Sequence, residues 1–146
     1  MKTYTIGFTQ KNARKFFTLI KQNHVVRVVD VRLNNISQLA GFAKLEDLKY
    51  FLSELCEAEY MHATELAPTK DILDAYKKKI IGWDAYEDKF LNLMAQRNIE
   101  RLLKPEIFSG GCLLCSEHQP HHCHRRLVVE YLNKCWNTPF EVHHLI

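Results

Sequence analysis

"VVRVVDV", residues 25–31, is a nearly continuous β-branched run interrupted only by Arg27 and Asp30. Strands exposed on one face alternate apolar and polar residues, whereas strands covered on both faces read as unbroken Val and Ile. The run therefore predicts a strand inside a sheet with helices on both sides. Upstream, "TYTIGF" (3–8) is a second β-prone run. Thr9 then reads as the cap of a helix whose Ala13, Phe16, Phe17 and Ile20 recur at helical spacing. The order is strand, helix, strand.

Downstream, residues 32–44 lack a period and carry Asn34, Asn35, Ser37 and Gly41, which predicts a loop. Leu48, Phe51, Leu52 and Leu55 share one face of a helix over 45–56, and "AEYMHA" (58–63) reads as a short third strand. Pro68-Thr69 opens a helix through residue 79, Gly82 breaks it, and residues 83–103 form one long amphipathic helix or a pair. "CLLCS" (112–116) is a fourth strand, a last helix follows Pro120 to about residue 135, and "PFEVHHL" (139–145) reads as a terminal strand. The expected fold is α/β, a single domain over 1–146 with a mostly parallel sheet of about four to five strands flanked by helices. Ligands in such sheets bind beyond the carboxyl ends of the strands. That rule gathers Phe8, Thr9, residues 30–32, His62 and residues 115–117 along one edge.

With 146 residues, 47% of them apolar, the chain has room for one real core. No apolar run is long enough to span a bilayer and Met1-Lys2-Thr3 lacks the start of a secretory signal, so a cytoplasmic protein without a membrane partner is expected. Five cysteines is an odd number, which favours reduced thiols over a disulfide framework. Cys56 and Cys135 fall in apolar helical patterns and read as small buried hydrophobes. A net charge of +3 permits an anionic ligand without demanding one. The basic residues are scattered over helix faces, and no nucleic-acid-binding signature accompanies them.

"CLLCSEHQPHHCHRRL" (112–127) concentrates three cysteines and four histidines. Cys112 and Cys115 have the spacing of zinc ligands, and Cys123, His118, His121, His122 and His124 add donors. A strand over 112–116 sends Cys112 and Cys115 to opposite faces, however, and "LL" is a poor turn for a zinc knuckle. No residue is therefore assigned as a metal ligand. Alternatively, Cys123, His124 and Arg125 open a helix, whose free N–H groups favour anions and a partly ionised Cys123, while Arg125 is suited to a phosphate or carboxylate. Against this stands a buried Cys123 with Arg125 and Arg126 paired to surface carboxylates. Asp30 and Arg32 share a strand face and form either a structural ion pair or part of a site. Glu117 is a general acid or base if buried and an ordinary loop carboxylate if exposed.

"TIGF", "VVDVRLNNISQLAGFAK", "YMHATELAPTK" and "LLCSEHQPHHCHRRLVVEYL" together resemble the family called domain of unknown function 488 over nearly the whole chain. The resemblance implies an α/β fold and a common site at Gly7, Asp30, Arg32, Cys115, Glu117, Cys123, His124 and Arg125. It implies no reaction and no cofactor. Where that family usually has Gly-His-Ser, this chain has Gly7-Phe8-Thr9, so any role of that histidine is absent. Cys112, His118, His121 and His122 lie outside the pattern. A looser likeness to rhodanese-type sulfurtransferases and related phosphatases rests on Asp30-x-Arg32, but the spacing around Cys115 and Cys123 gives a loop of the wrong shape.

The expected function is a polar pocket at the strand ends for a small anionic ligand, a nucleotide or phosphate-bearing group, in an enzyme or degenerate enzyme. Arg32 and Arg125, with Gly7 and His124, would hold the anion; Asp30 or Glu117 would move a proton; Cys115 or Cys123 would act as nucleophile or lining thiol. Two alternatives stay open: a nucleic-acid-binding or repair-associated module using the same basic edge and loop 34–44, and a zinc-dependent domain.

Overall fold

Val28 and Val29, adjacent in β2 (Arg27–Asp30), are both fully buried, one on each face of the sheet. In the computed structural model, which describes residues 1–35, 41–117, 119–137 and 139–146, this strand sits in a five-stranded sheet. Its companions are β1 (Lys2–Gly7), β3 (Glu59–His62), β4 (Gly111–Cys115) and β5 (Glu141–Leu145), in the order β3-β2-β4-β1-β5, every pairing parallel. The parallel α/β expectation holds.

Two helical layers cover the sheet. On one face lie α1 (Ala13–Gln22) and α2 (Leu45–Cys56), whose Phe16, Ile20, Leu48 and Leu52 pack on Ile6, Val28, Cys112 and Leu114. On the other lie α3 (Lys70–Lys77), α4 (Trp83–Arg97), the short α5 (Ile99–Leu102) and α6 (Pro105–Phe108), and α7 (His124–Cys135). Tyr86, Phe90 and Met94 are spaced by four along α4 and so form one stripe, which meets Val29, Val31, Leu113 and the Leu127, Val128 and Leu132 face of α7. Burying a side chain such as Phe90 stabilises by about 2 kcal/mol, so this stripe fixes α4 firmly against the sheet.

Local capping explains where several elements start. α1 begins at Asn12, whose carboxamide oxygen accepts from the Lys15 N–H, and not at Thr9. Thr9 instead donates both its N–H and its hydroxyl to the Ser116 carbonyl, at 3.1 and 2.7 Å. It ties the end of β1 to the loop after β4. Thr69 caps α3 by accepting from the Ile72 N–H. The stretch 83–103 divides because Asn98 adopts a left-handed conformation with φ +52°. Of the two cysteines read as buried, Cys56 is only half-buried and Cys135 is exposed, because it falls on the outer face of the last turn of α7.

Strand register aligns the carboxyl ends. Gly7 pairs with Cys115, Asp30 with Leu114, and Asp30 with His62 on its other side. No helix among the described residues is long and apolar enough to cross a membrane.

Candidate functional site

Beyond those strand ends lies a cleft of about 310 Å³, walled by α3, α4, the segment after β2, the segment after β4 and the start of α7. A second hollow of about 290 Å³, between α1 and α2 on the opposite face, is lined by Phe17, Phe51 and Leu55 with Arg14, Thr18 and Lys21 at its sides.

Asp30 and Arg32 form a fully enclosed ion pair. Arg32 donates from Nε to Oδ1 at 2.8 Å and from Nη2 to Oδ2 at 2.7 Å, while its own N–H reaches Oδ1 at 3.1 Å. Two parallel bonds in a fork are the strongest form of this contact, and they offset the desolvation of both charges. The Tyr60 hydroxyl adds a bond to Asp30 Oδ2 at 2.6 Å. Burial, then that bond, raises the Tyr60 pKa and keeps it a phenol. Asn35 donates to Tyr60 and to His62 Nδ1, and His62 Nε2 donates to the Arg32 carbonyl at 2.8 Å. With its oxygens occupied, Asp30 is an anchor and not the proton carrier the sequence suggested. Arg32 lines the cleft, and its guanidinium lies 5.5 Å from the Phe8 ring.

Arg32 keeps one atom in reserve. Its Nη1 is buried and has no hydrogen-bond partner among the described residues. An unmet donor of that kind costs about 1–3 kcal/mol, more when charged.

Three consecutive residues at the start of α7 go three ways. Cys123, the N-cap residue, is buried with its thiol beside Cys115. The His124 ring is also buried and its Nε2 lies 2.7 Å from the Val31 carbonyl. A carbonyl only accepts, so Nε2 carries a proton, and Cys115 Sγ lies beside the ring, 3.5 Å from Nδ1 and 3.8 Å from Nε2. Arg125 turns under β1, fully buried, donating from Nε to Thr5 Oγ1 at 3.2 Å and from Nη1 to the Glu117 carbonyl. It lies behind the cleft wall and holds the chain in place, contrary to the expectation that it grips an anion.

The two thiols differ. Hydrogen bonding from Cys123 lowers the Cys115 pKa, against the opposing effect of burial; the Arg125 charge and the N–H groups of Ser116 and Glu117 help. Burial pushes the Cys123 thiol well up, and its bond to Cys115 raises it further. The expected partial ionisation at Cys123 meets a stronger opposing effect: burial outweighs the helix terminus there, and the downward shift falls on Cys115. Cys112 faces the opposite layer, as strand parity required, with its thiol also raised by burial.

Gly7 does not touch the cleft. A Cβ there would lie 1.5 Å from the Glu117 carbonyl oxygen and 2.8 Å from Arg125 Nη1, so its absence lets the post-β4 segment cross the end of β1. Glu117 is exposed at the rim, an ordinary loop carboxylate. The aromatic wall escaped the sequence reading. Trp83 stacks on Tyr86 at 5.2 Å and 25°, and on His122 at 4.8 Å and 20°, with Tyr76 adjoining both. Exposed Lys77 stands at the rim. The helical spacing of Trp83, Tyr86 and Phe90 marks an apolar face, but only a tally of rings at the helix start near a strand end would have hinted at a ligand surface. His118 lies outside the described residues, as does part of loop 34–44.

Fold and site define an α/β domain with a parallel sheet covered on both faces and a thiol–imidazole–guanidinium cleft at its carboxyl edge. Residues 12–132 match the profile of the family described as "Domain of unknown function DUF488", and the chain belongs to that family. No curated protein and no solved structure matches it.

Proposed function

We propose that the cleft binds a small anionic ligand carrying a flat ring, a nucleotide or a comparable phosphate-bearing aromatic. The observation that carries this reading is a cleft lined both by Arg32, whose buried Nη1 has no hydrogen-bond partner among the described residues, and by the rings of Tyr76, Trp83, Tyr86 and His122. A guanidinium already fixed by Asp30 is pre-organised, so an incoming oxyanion satisfies the remaining donor with little side-chain ordering. The stacked rings offer a planar surface of the kind that accepts any base, and Lys77 adds charge at the rim. Cys115 at the floor and Glu117 at the rim are the groups such a ligand meets, and a reaction in this cleft would run through them.

Calorimetric titration with adenosine monophosphate, with inorganic phosphate and with a short single-stranded oligonucleotide tests the reading. Saturable binding of the mononucleotide, weakened at least about tenfold by Arg32→Lys and by Trp83→Ala, is expected. Tight, steeply salt-dependent binding of the oligonucleotide alone would shift the assignment to nucleic acid. No binding of any of the three removes the proposal.

A further inference from the structure

One sulfur each from Cys115 and Cys123 and one ring nitrogen of His124 lie within 4.8 Å of one another, all three side chains buried. Cys115 is the last residue of β4, Cys123 the N-cap of α7 and His124 its first residue, so two rigid elements supply the set. We propose that Cys115, Cys123 and His124 hold one zinc ion, with a fourth coordination position open to the cleft.

The chemistry favours zinc on three counts. Two sulfurs and one imidazole are borderline-soft donors suited to zinc; among the described residues Asp30 is engaged by Arg32 and Tyr60, and the Glu117 carboxylate stands at the exposed rim outside the three-donor group. Hard cations such as magnesium and calcium want several oxygen ligands, whereas the three grouped donors are two sulfurs and a nitrogen. Val31 accepts from Nε2, which leaves Nδ1, 3.5 Å from Cys115 Sγ, as the nitrogen for ligation once the ring turns towards the sulfurs. A backbone carbonyl holding the non-ligating nitrogen is the usual second shell of a metal-bound histidine. Finally, two thiolates balance a divalent ion, so the filled site carries no net charge into its buried surroundings.

Geometry asks for a small contraction. Zinc–sulfur bonds of about 2.3 Å at a tetrahedral angle set a sulfur–sulfur edge of roughly 3.8 Å. Three atoms within 4.8 Å reach that by side-chain adjustment. Three protein ligands and one open position is the pattern of a catalytic site and not of a closed structural one. The opening faces the ligand cleft, so the inference deepens the cleft reading, yet metal uptake and nucleotide binding are measured separately.

Reduced, chelator-treated protein is titrated with zinc against a chromophoric chelator, and with cobalt while recording its absorption. One equivalent per chain is expected, with the sulfur-to-cobalt charge-transfer band and intense visible bands of a tetrahedral thiolate site. Cys115→Ser and Cys123→Ser should each weaken uptake at least about a hundredfold, beyond the loss typical of an outer-sphere change. Cys112→Ser and the His121→Ala, His122→Ala double variant should retain it. Circular dichroism identifies any variant that fails to fold, in which case the wild-type cobalt spectrum decides. No stoichiometric uptake, no charge-transfer band, or uptake that survives loss of Cys115 but not of His121 and His122 overturns the assignment. Nucleotide binding by protein that takes up no zinc sinks the metal alone; zinc uptake without nucleotide binding sinks the cleft reading alone.

Discussion

The α-carbon of Gly7 lies so close beneath the main chain of Glu117 that a methyl group on it would meet the Glu117 carbonyl oxygen at 1.5 Å. Backbone, unlike the end of a flexible side chain, has nowhere to go. Gly7→Ala should destabilise the fold by about 3 kcal/mol or more, the upper range for overpacking, and lower Tm by roughly 10 °C. Thermal melting of the purified variant checks this. Gly82 is the counterexample: nothing lies within 4 Å of its Cβ position, and it caps α4 without a side-chain bond. Gly82→Ser should raise stability by a few tenths of a kcal/mol.

Asp30 and Arg32 predict an asymmetry between two conservative changes. Asp30→Asn leaves the Arg32 guanidinium buried without a counter-charge and should cost about 3–5 kcal/mol. Tyr60→Phe removes one bond to a carboxylate that keeps its ion pair, and should cost about 1–2 kcal/mol. Urea unfolding of both variants gives the two values. Equal losses would mean that the phenol and the guanidinium hold Asp30 equally.

The two buried arginines should separate stability from binding. Arg125→Lys forfeits the paired donors to Thr5 and Glu117 and should lower Tm, while leaving mononucleotide affinity of the folded protein within about twofold. Arg32→Lys should reduce that affinity much more. Melting curves and calorimetry on the same preparations read both quantities.

Lys11 supplies a pH prediction. Burial, the Arg125 charge and Lys15 lower its pKa to about 8, with Cys112 opposing, from 10.5 in the unfolded chain. Between those values the unfolded state binds more protons than the native state, so this residue's contribution to stability rises with pH. Lys11→Met removes the penalty. Its stability relative to wild type should be greatest below about pH 8 and decline towards pH 10.5, measured by denaturant unfolding across that range.

How much of this was legible in the sequence differs by feature. The Val-rich run around Val28 and Val29 announced a doubly covered strand, because only burial on both faces tolerates unbroken β-branched residues. Strand order was not legible: which strand β4 inserts between depends on how α4 and α7 pack, a tertiary matter. The strand-end rule and the family pattern brought Asp30, Arg32, Cys115, Cys123 and His124 to one edge. Neither told which way consecutive residues at a helix start would point. Successive side chains there are turned by about 100°, so Cys123 and His124 enter the cluster while Arg125 departs under β1. Of the two readings left open for Cys123, partly ionised or buried, the sequence could not choose, because a helix terminus is visible in it and desolvation is not.

β4 pairs on one side with β2 and on the other with β1, although it follows them by about 80 and 105 residues of chain. Until residues 111–115 leave the ribosome, the first two strands have no neighbour in common: β2 has only β3 to pair with, and β1 has no partner strand, since β5 follows β4. Loop closure over such distances slows folding and lengthens the interval in which unpaired strands are open to association with other chains. The last stretch to join the middle of the sheet also brings the cysteine at the cleft floor, so neither sheet nor cleft forms before β4 is made.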